Sequence, residues 1–281
     1  MKKTINEELR KGYLNENYHY FHLSDTAGQE LDFHFHEFDK LVLLIAGKVE
    51  YTVEGKTYEL KPWDVVYVKH HMLHKAVIDK SVNYERVIIY LDRNYFGRLM
   101  PDAGLFSCFE LSDRNSLYCA SLNKAQQGQI KNLIDIFEEN NKKNLHDAEL
   151  MKDTAIMQIL TVANRAYLSG SQQKTAEAPS YSEKITSTLT YIGEHLSEEL
   201  SVESIADRVY LSKAHFMRMF KAETGQTVHS YIRQKRLLKA ASLIRHGMSA
   251  SDAALESGFS DYSSFHRAFK ESFGVSPKDM K

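Results

Sequence analysis

A chain of 281 residues is long enough for two domains, each with its own core. Its two cysteines stand apart from any C-x-x-C pair, which excludes a disulfide scaffold and leaves two reduced thiols. The longest aliphatic run, Leu41 to Ala46, is far too short to cross a bilayer. The formal net charge of −1 hides an asymmetry: residues 208–281 hold 13 Lys/Arg against 6 Asp/Glu, and the other 207 residues hold 23 against 31. A basic end on an acidic remainder suits phosphate contact at one end only.

The polar start MKKTINEELR lacks the apolar run of a signal peptide, so a cytoplasmic location is expected. From Phe33 to Leu91 the pattern is that of strands. LVLLIA reads as a strand buried on both faces. Val49, Tyr51 and Val53 then alternate with polar residues, Glu54-Gly55-Lys56 supplies a turn, and Tyr58 and Leu60 resume the alternation. Pro62-Trp63-Asp64 punctuates, and VVYV and RVIIYL follow. Short strands at regular spacing imply an antiparallel sandwich or barrel. His34 and His36 are two apart, so in a strand they point to the same side and can converge on the interior.

The middle predicts two amphipathic helices. Ile130, Leu133, Ile134 and Phe137 recur at helical spacing over 125–140, and Met151, Ala155, Ile159, Val162, Ala163 and Ala166 over 148–168. They can cover the barrel or pair with a second copy. SGSQQKTAEAPS, residues 169–180, reads as a flexible linker. A helix then opens near Tyr181 with Ile185, Leu189 and Ile192 as its stripe.

The last third carries one short unit twice, SVESIADRVYLSKAHFMRMFKAETG and SASDAALESGFSDYSSFHRAFKESFG. Phe216, Arg218, Phe220, Lys221 and Gly225 match Phe265, Arg267, Phe269, Lys270 and Gly274. Each copy reads as a short helix, a tight turn and a second helix closed by glycine, the layout of a helix-turn-helix. Ser201, Ser212 and Ser249 are good N-caps, as is Ser260 or Asp261. With the phenylalanines inside, Lys213, Ala214, Met217 and Arg218 face outward in the first copy, and Tyr262, Ser263, His266 and Arg267 in the second. A helix over about 228–245 joins the copies. At 1.5 Å per residue it is about 27 Å long, which can hold two recognition helices roughly one DNA turn apart.

Residues 181–281 resemble the DNA-binding domain of AraC/XylS-type transcription regulators, with GFSDYSSFHRAFKESFGVSP as the most specific string. Ala253, where that pattern has isoleucine, and Met280-Lys281, in place of an aromatic-arginine pair, depart from it. HFHEFDKLVLLIAGKVEYTVEGKTYELKPWDVVYVKHHMLH resembles a cupin, the small jelly roll that precedes many such domains. The resemblance implies an α+β chain of two domains. Residues 1–168 form a cupin-like barrel with flanking helices, for effector binding and dimerisation. Residues 169–180 are the linker, and 181–281 an all-α domain with two helix-turn-helix units joined by a long helix.

It also implies a sequence-specific DNA-binding regulator, not an enzyme, that answers to a small molecule in the barrel. Double-stranded DNA and a polar or anionic effector such as a sugar or sugar acid are the expected ligands. A second copy of the chain and RNA polymerase are further candidate partners. By resemblance His74 sits where metal-binding cupins place a late histidine, and Lys40 where they place a glutamate ligand. An ammonium repels a metal ion, so no metal and no cofactor are expected. His34, His36, Lys40, Trp63 and His74 are then the candidate effector contacts. A metal-dependent cupin enzyme with a DNA-binding tail, and a regulator whose cupin only dimerises, are the alternatives.

Overall fold

The computed structural model describes residue 14 and residues 16–25, 31–101, 103–142, 146–170, 173–176, 178–179 and 181–280. The start MKKTINEELR lies outside the described residues. The described residues form ten strands, eight of them before the first helix: β1 (Tyr18–Asp25), β2 (Leu31–His34), β3 (Asp39–Ala46), β4 (Val49–Val53), β5 (Lys56–Leu60), β6 (Asp64–Val68), β7 (His74–Ile78), β8 (Tyr84–Leu91), then β9 (Cys119–Ser121) and β10 (Ala178–Pro179). They form two five-stranded sheets, β1-β8-β3-β6-β9 and β10-β5-β4-β7-β2, with antiparallel pairing throughout.

Period two explains why β3 reads as unbroken apolar sequence. Leu41 and Leu43, with Val65, Tyr67, Val87 and Ile89, point out of the first sheet towards helices. Val42 and Leu44, with Val66, Val68, Ile88 and Tyr90, point inward against Tyr51, Val53, Tyr58 and Leu60 of the second sheet. Both faces of the strand are therefore buried. The β4–β5 hairpin turns on Glu54 and Gly55, at φ +44° and +76°, the left-handed pair that a two-residue hairpin needs.

Helices α1 (Arg93–Leu99), α2 (Ser107–Asn115), α3 (Lys124–Lys142) and α4 (Ala148–Leu168) cover the outer face of the first sheet. Ile130, Leu133, Ile134 and Phe137 of α3 and Ile156, Ile159, Leu160 and Ala163 of α4 are buried there. The apolar stripes of both middle helices thus serve as the barrel's cover. The periodic reading missed β1, α1 and α2, whose polar and apolar residues are mixed at neither simple period.

The second domain is helical: α5 (Glu183–Glu194), α6 (Val202–Arg208), α7 (Lys213–Thr224), α8 (Val228–Arg245), α9 (Ala250–Glu256) and α10 (Tyr262–Phe273). Ser182, Ser201, Ser212, Thr227, Ser249 and Asp261 each accept a backbone N–H at a helix start, worth about 1 kcal/mol apiece. Asp261, not Ser260, is the cap of α10. The duplicated phenylalanines, Phe216 and Phe220 with Phe265 and Phe269, are fully buried in one shared core. In the second turn Gly258 takes φ +87°, and a Cβ there would lie 2.5 Å from the Leu196 carbonyl oxygen. Tyr210 holds the equivalent place in the first copy, also left-handed, at φ +56°.

Tyr181 stands before α5 instead of opening it, since Ser182 is the cap. The described part of 169–180 is held to the barrel. Lys174 Nζ donates to the Glu59 carbonyl and to Asp64, at 2.7 Å each, and Ala178–Pro179 pairs with β5.

Candidate functional site

The outer surface of the two helix-turn-helix units is set by what the helices bury. Phe216 and Phe220 sink α7 into the core and leave Lys213, Ala214, Met217 and Arg218 exposed on its other side. Lys213 pairs with Glu203 across the turn. On α10, Phe265, Ala268 and Phe269 are buried, and Ser263 and Arg267 are exposed. His266 is half-buried. Tyr262 is half-buried too, with its ring 5.6 Å from that of Phe265 and its hydroxyl enclosed, so packing claims much of this side chain. Hydrogen bonds from Ser264 and Ser263 hold the Asp261 carboxyl below the usual range. That carboxylate is committed to capping.

A second cluster sits inside the barrel. β2 pairs with β7 so that His34 lies beside His74, with ring centroids 4.2 Å apart, and His36 is 4.8 Å from His74. Lys40 points inward from β3 across the gap between the sheets. Its Nζ is 3.3 Å from His74 Nε2 and 5.9 Å from the ring centres of both Tyr51 and Tyr90. His36, His74 and Lys40 are buried, while His34 is half-buried and marks the way to solvent.

Burial pushes the Lys40 ammonium down to about 7. Burial, helped by Lys40 and the neighbouring imidazoles, holds His36 and His74 well below the usual histidine range, so both are neutral. Among the described residues no group of three His, Cys, Asp or Glu is placed to hold a metal ion.

The structure therefore brings His34, His36, Lys40 and His74 together, and leaves Trp63 out. Trp63 packs with the residues between the first sheet and the helices. Arg86 is also inward but distant: Lys40 pairs with Tyr90 and Leu44 with Arg86, four residues along β3, or about 14 Å.

The residues alternating with these histidines grip the DNA-binding domain. Phe35 and Leu73 belong to the helical domain's core. The Phe35 ring lies 5.7 Å from that of Tyr231 on α8, and Phe33 lies 5.9 Å from Tyr181. Gln226 donates to the Phe33 carbonyl at 3.1 Å, Lys235 donates to the His71 carbonyl, and Arg245 pairs with the buried Glu37. The segment 33–37, the end of β2 and the turn after it, thus offers even-numbered residues to the inner cluster and odd-numbered residues to the helices. The sequence holds this signal, Phe33-His34-Phe35-His36-Glu37, but shows only its histidine face as chemistry. The apolar face gains meaning only once a second domain is docked on it.

A strand-rich front domain joined to two helix-turn-helix units defines a one-chain DNA-binding regulator. Residues 17–160 match the AraC-like ligand binding domain, and residues 205–281 match a helix-turn-helix domain. The chain belongs to the AraC family of DNA-binding transcription regulators. It is 25% identical over 251 residues to the HTH-type transcriptional activator RhaS of Escherichia coli (strain SMS-3-5 / SECEC), covering 88% of this chain and 86% of that one. The C-terminal domain of AraT, a response regulator from Geobacillus stearothermophilus, matches at 31% identity over 34% of this chain and 81% of its own, with TM-score 0.33. Wild-type ToxT from Vibrio cholerae strain SCE256, solved with an unsaturated fatty acid, matches at 13% identity over 94% of this chain and 95% of its own, with TM-score 0.37.

Proposed function

We propose that this regulator answers to a small polar or anionic effector bound at His34, His36, Lys40 and His74. The effector acts by changing how the segment 33–37 holds the DNA-binding domain. The alternation along that segment carries the reading: two of its side chains enter the inner cluster and three touch or pair with the helical domain. A ligand that moves His34 or His36 cannot leave Phe33, Phe35 and Glu37 untouched, because they share one backbone.

On the DNA side, Lys213, Ala214, Met217 and Arg218 face one major-groove segment, and Ser263, His266 and Arg267, with the rim of Tyr262, face the next. The 18 residues of α8 set the two about 27 Å apart. Two chains acting as a homodimer read two such sites, with α3 and α4 as the candidate contact between copies and RNA polymerase as a downstream partner. The junction between the domains falls within 169–180, and the setting is the cytoplasm. The barrel binds and does not catalyse. The Lys40 ammonium beside His74 repels a metal ion, and burial keeps both cysteines as thiols.

The test is Phe35→Ala. Once a metabolite screen by thermal shift identifies an effector, DNA affinity is measured by fluorescence anisotropy with and without it. The variant should bind DNA but lose most of the effector response. A response equal to that of the unaltered chain overturns the coupling.

A further inference from the structure

The inner cluster has a hydrogen-bonding deficit of a particular kind, and its tautomers can be read off. His36 Nδ1 lies 2.6 Å from the Phe38 carbonyl oxygen, and His74 Nδ1 lies 3.0 Å from the Met72 carbonyl oxygen. A carbonyl only accepts, so both Nδ1 atoms carry the proton and donate. In a neutral ring the Nε2 atom is then a bare acceptor. That of His74 accepts from Lys40 Nζ. That of His36 is buried with no partner among the described residues.

Lys40 has the opposite need. Its ammonium has two further N–H groups, and no carboxylate stands within ion-pair distance among the described residues. The adjacent carboxylates are engaged on the other side of the strand: Asp39 by Arg93 and His70, and Glu37 by Arg245. The cluster therefore lacks an anionic acceptor at Lys40 and a hydroxyl-type donor at His36 Nε2. Around them stand flat apolar rings, with Phe38 stacked on His36 at 4.1 Å and 4°, and Tyr51 and Tyr90 flanking Lys40.

Resting on the effector reading above, we infer that the ligand is a hydroxycarboxylate, whose carboxylate pairs with Lys40 and whose hydroxyl donates to His36 Nε2. A plain carboxylate leaves the His36 nitrogen unpaired, and a neutral polyol leaves the ammonium without a counter-ion. Either shortfall weakens binding by about tenfold or more. The burial that lowers the affinity of Lys40 for its proton makes binding proton-linked, since the incoming anion draws a proton onto the amine.

The experiment uses the full chain and three matched probes: lactate, propionate and propane-1,2-diol. Histidine imidazole signals are followed by NMR as each is titrated. Lactate should bind at least about tenfold tighter than the other two and should move His36 Nε2 most, as that nitrogen goes from bare to hydrogen-bonded. His36→Phe should erase the preference for lactate over propionate while keeping that for either acid over the diol. Lys40→Met should erase the preference for acids. Equal binding of lactate and propionate, or a diol that binds as well as lactate, overturns the hydroxycarboxylate inference alone. If none of the three moves His34, His36 or His74, the effector site itself is misplaced.

Discussion

The Glu37–Arg245 pair gives a direct measure of how the barrel holds the DNA-binding domain. The Glu37 side chain is 3% exposed and accepts from Arg245 and, at 3.2 Å, from the Leu14 backbone N–H. Burial raises its carboxyl from 4.5 to about 7, even though Arg245 pulls the other way. The difference between those values is worth about 3 kcal/mol. Because the folded chain prefers the protonated acid, that stability is fully present below about pH 4.5. It is lost as pH rises through about 7.

Glu37→Gln removes the titration. The variant should match the unaltered chain within about 1 kcal/mol at pH 4.5 and exceed it by up to ~3 kcal/mol at pH 8. Arg245→Ala should do the reverse. It strands a buried carboxylate, costing about 3 kcal/mol at pH 8 and much less at pH 5, where the acid is neutral. Urea unfolding followed by the fluorescence of Trp63, the only tryptophan, reads the barrel side of the contact. Parallel pH profiles for Glu37→Gln and the unaltered chain, or a Gln variant weaker at pH 8, refute the reasoning.

Arg218→Ala should weaken binding to a selected DNA site by about 1–3 kcal/mol and relax preference at one or two base positions, read by anisotropy over single-base variants of the site. An equal loss on every sequence would make Arg218 a phosphate contact. Tyr210→Gly should stabilise the fold by up to ~1 kcal/mol of relieved left-handed strain and so raise the melting temperature, since a side chain 92% exposed gives up little packing; a fall in melting temperature contradicts it. Gly55→Ala should destabilise the fold, because the new Cβ would lie 2.4 Å from the Tyr181 ring at φ +76°; an unchanged melting temperature rules out that packing.

The helical domain was almost fully legible. Duplicated phenylalanines, serine caps and closing glycines are local signals that mark α7 and α10. Periodicity gives the bounds of α8 to the residue, and those of α4 in the barrel domain likewise. The hidden parts depend on distant partners. β1, rich in histidine and tyrosine, becomes a strand by pairing with β8 over eight residues. Trp63 reads in sequence as either a ligand-stacking or a core aromatic, and the turn at φ +73° sends it to the helical side of the sheet, against the core there. Lys235 lies in the basic run Arg233-Gln234-Lys235-Arg236 of α8, yet it is enclosed against Phe35 and the His71 carbonyl. Of the inner cluster, the His34–His36 spacing is visible in sequence. His74 and Lys40 enter by resemblance alone, and their meeting with the two comes from register and from the closeness of two sheets.

The proposed coupling between the inner cluster and the DNA-binding surface runs through the segment 33–37, and coupling is reciprocal. DNA must then act on the cluster as the effector acts on DNA binding, so no effector is needed for the test. A DNA site selected from a random pool is titrated into the full chain, and the imidazole signals of His36 and His74 are followed by NMR. Both signals should move with the DNA saturation curve, and Phe35→Ala should abolish the movement while DNA still binds. Signals that stay in place to full DNA occupancy contradict it.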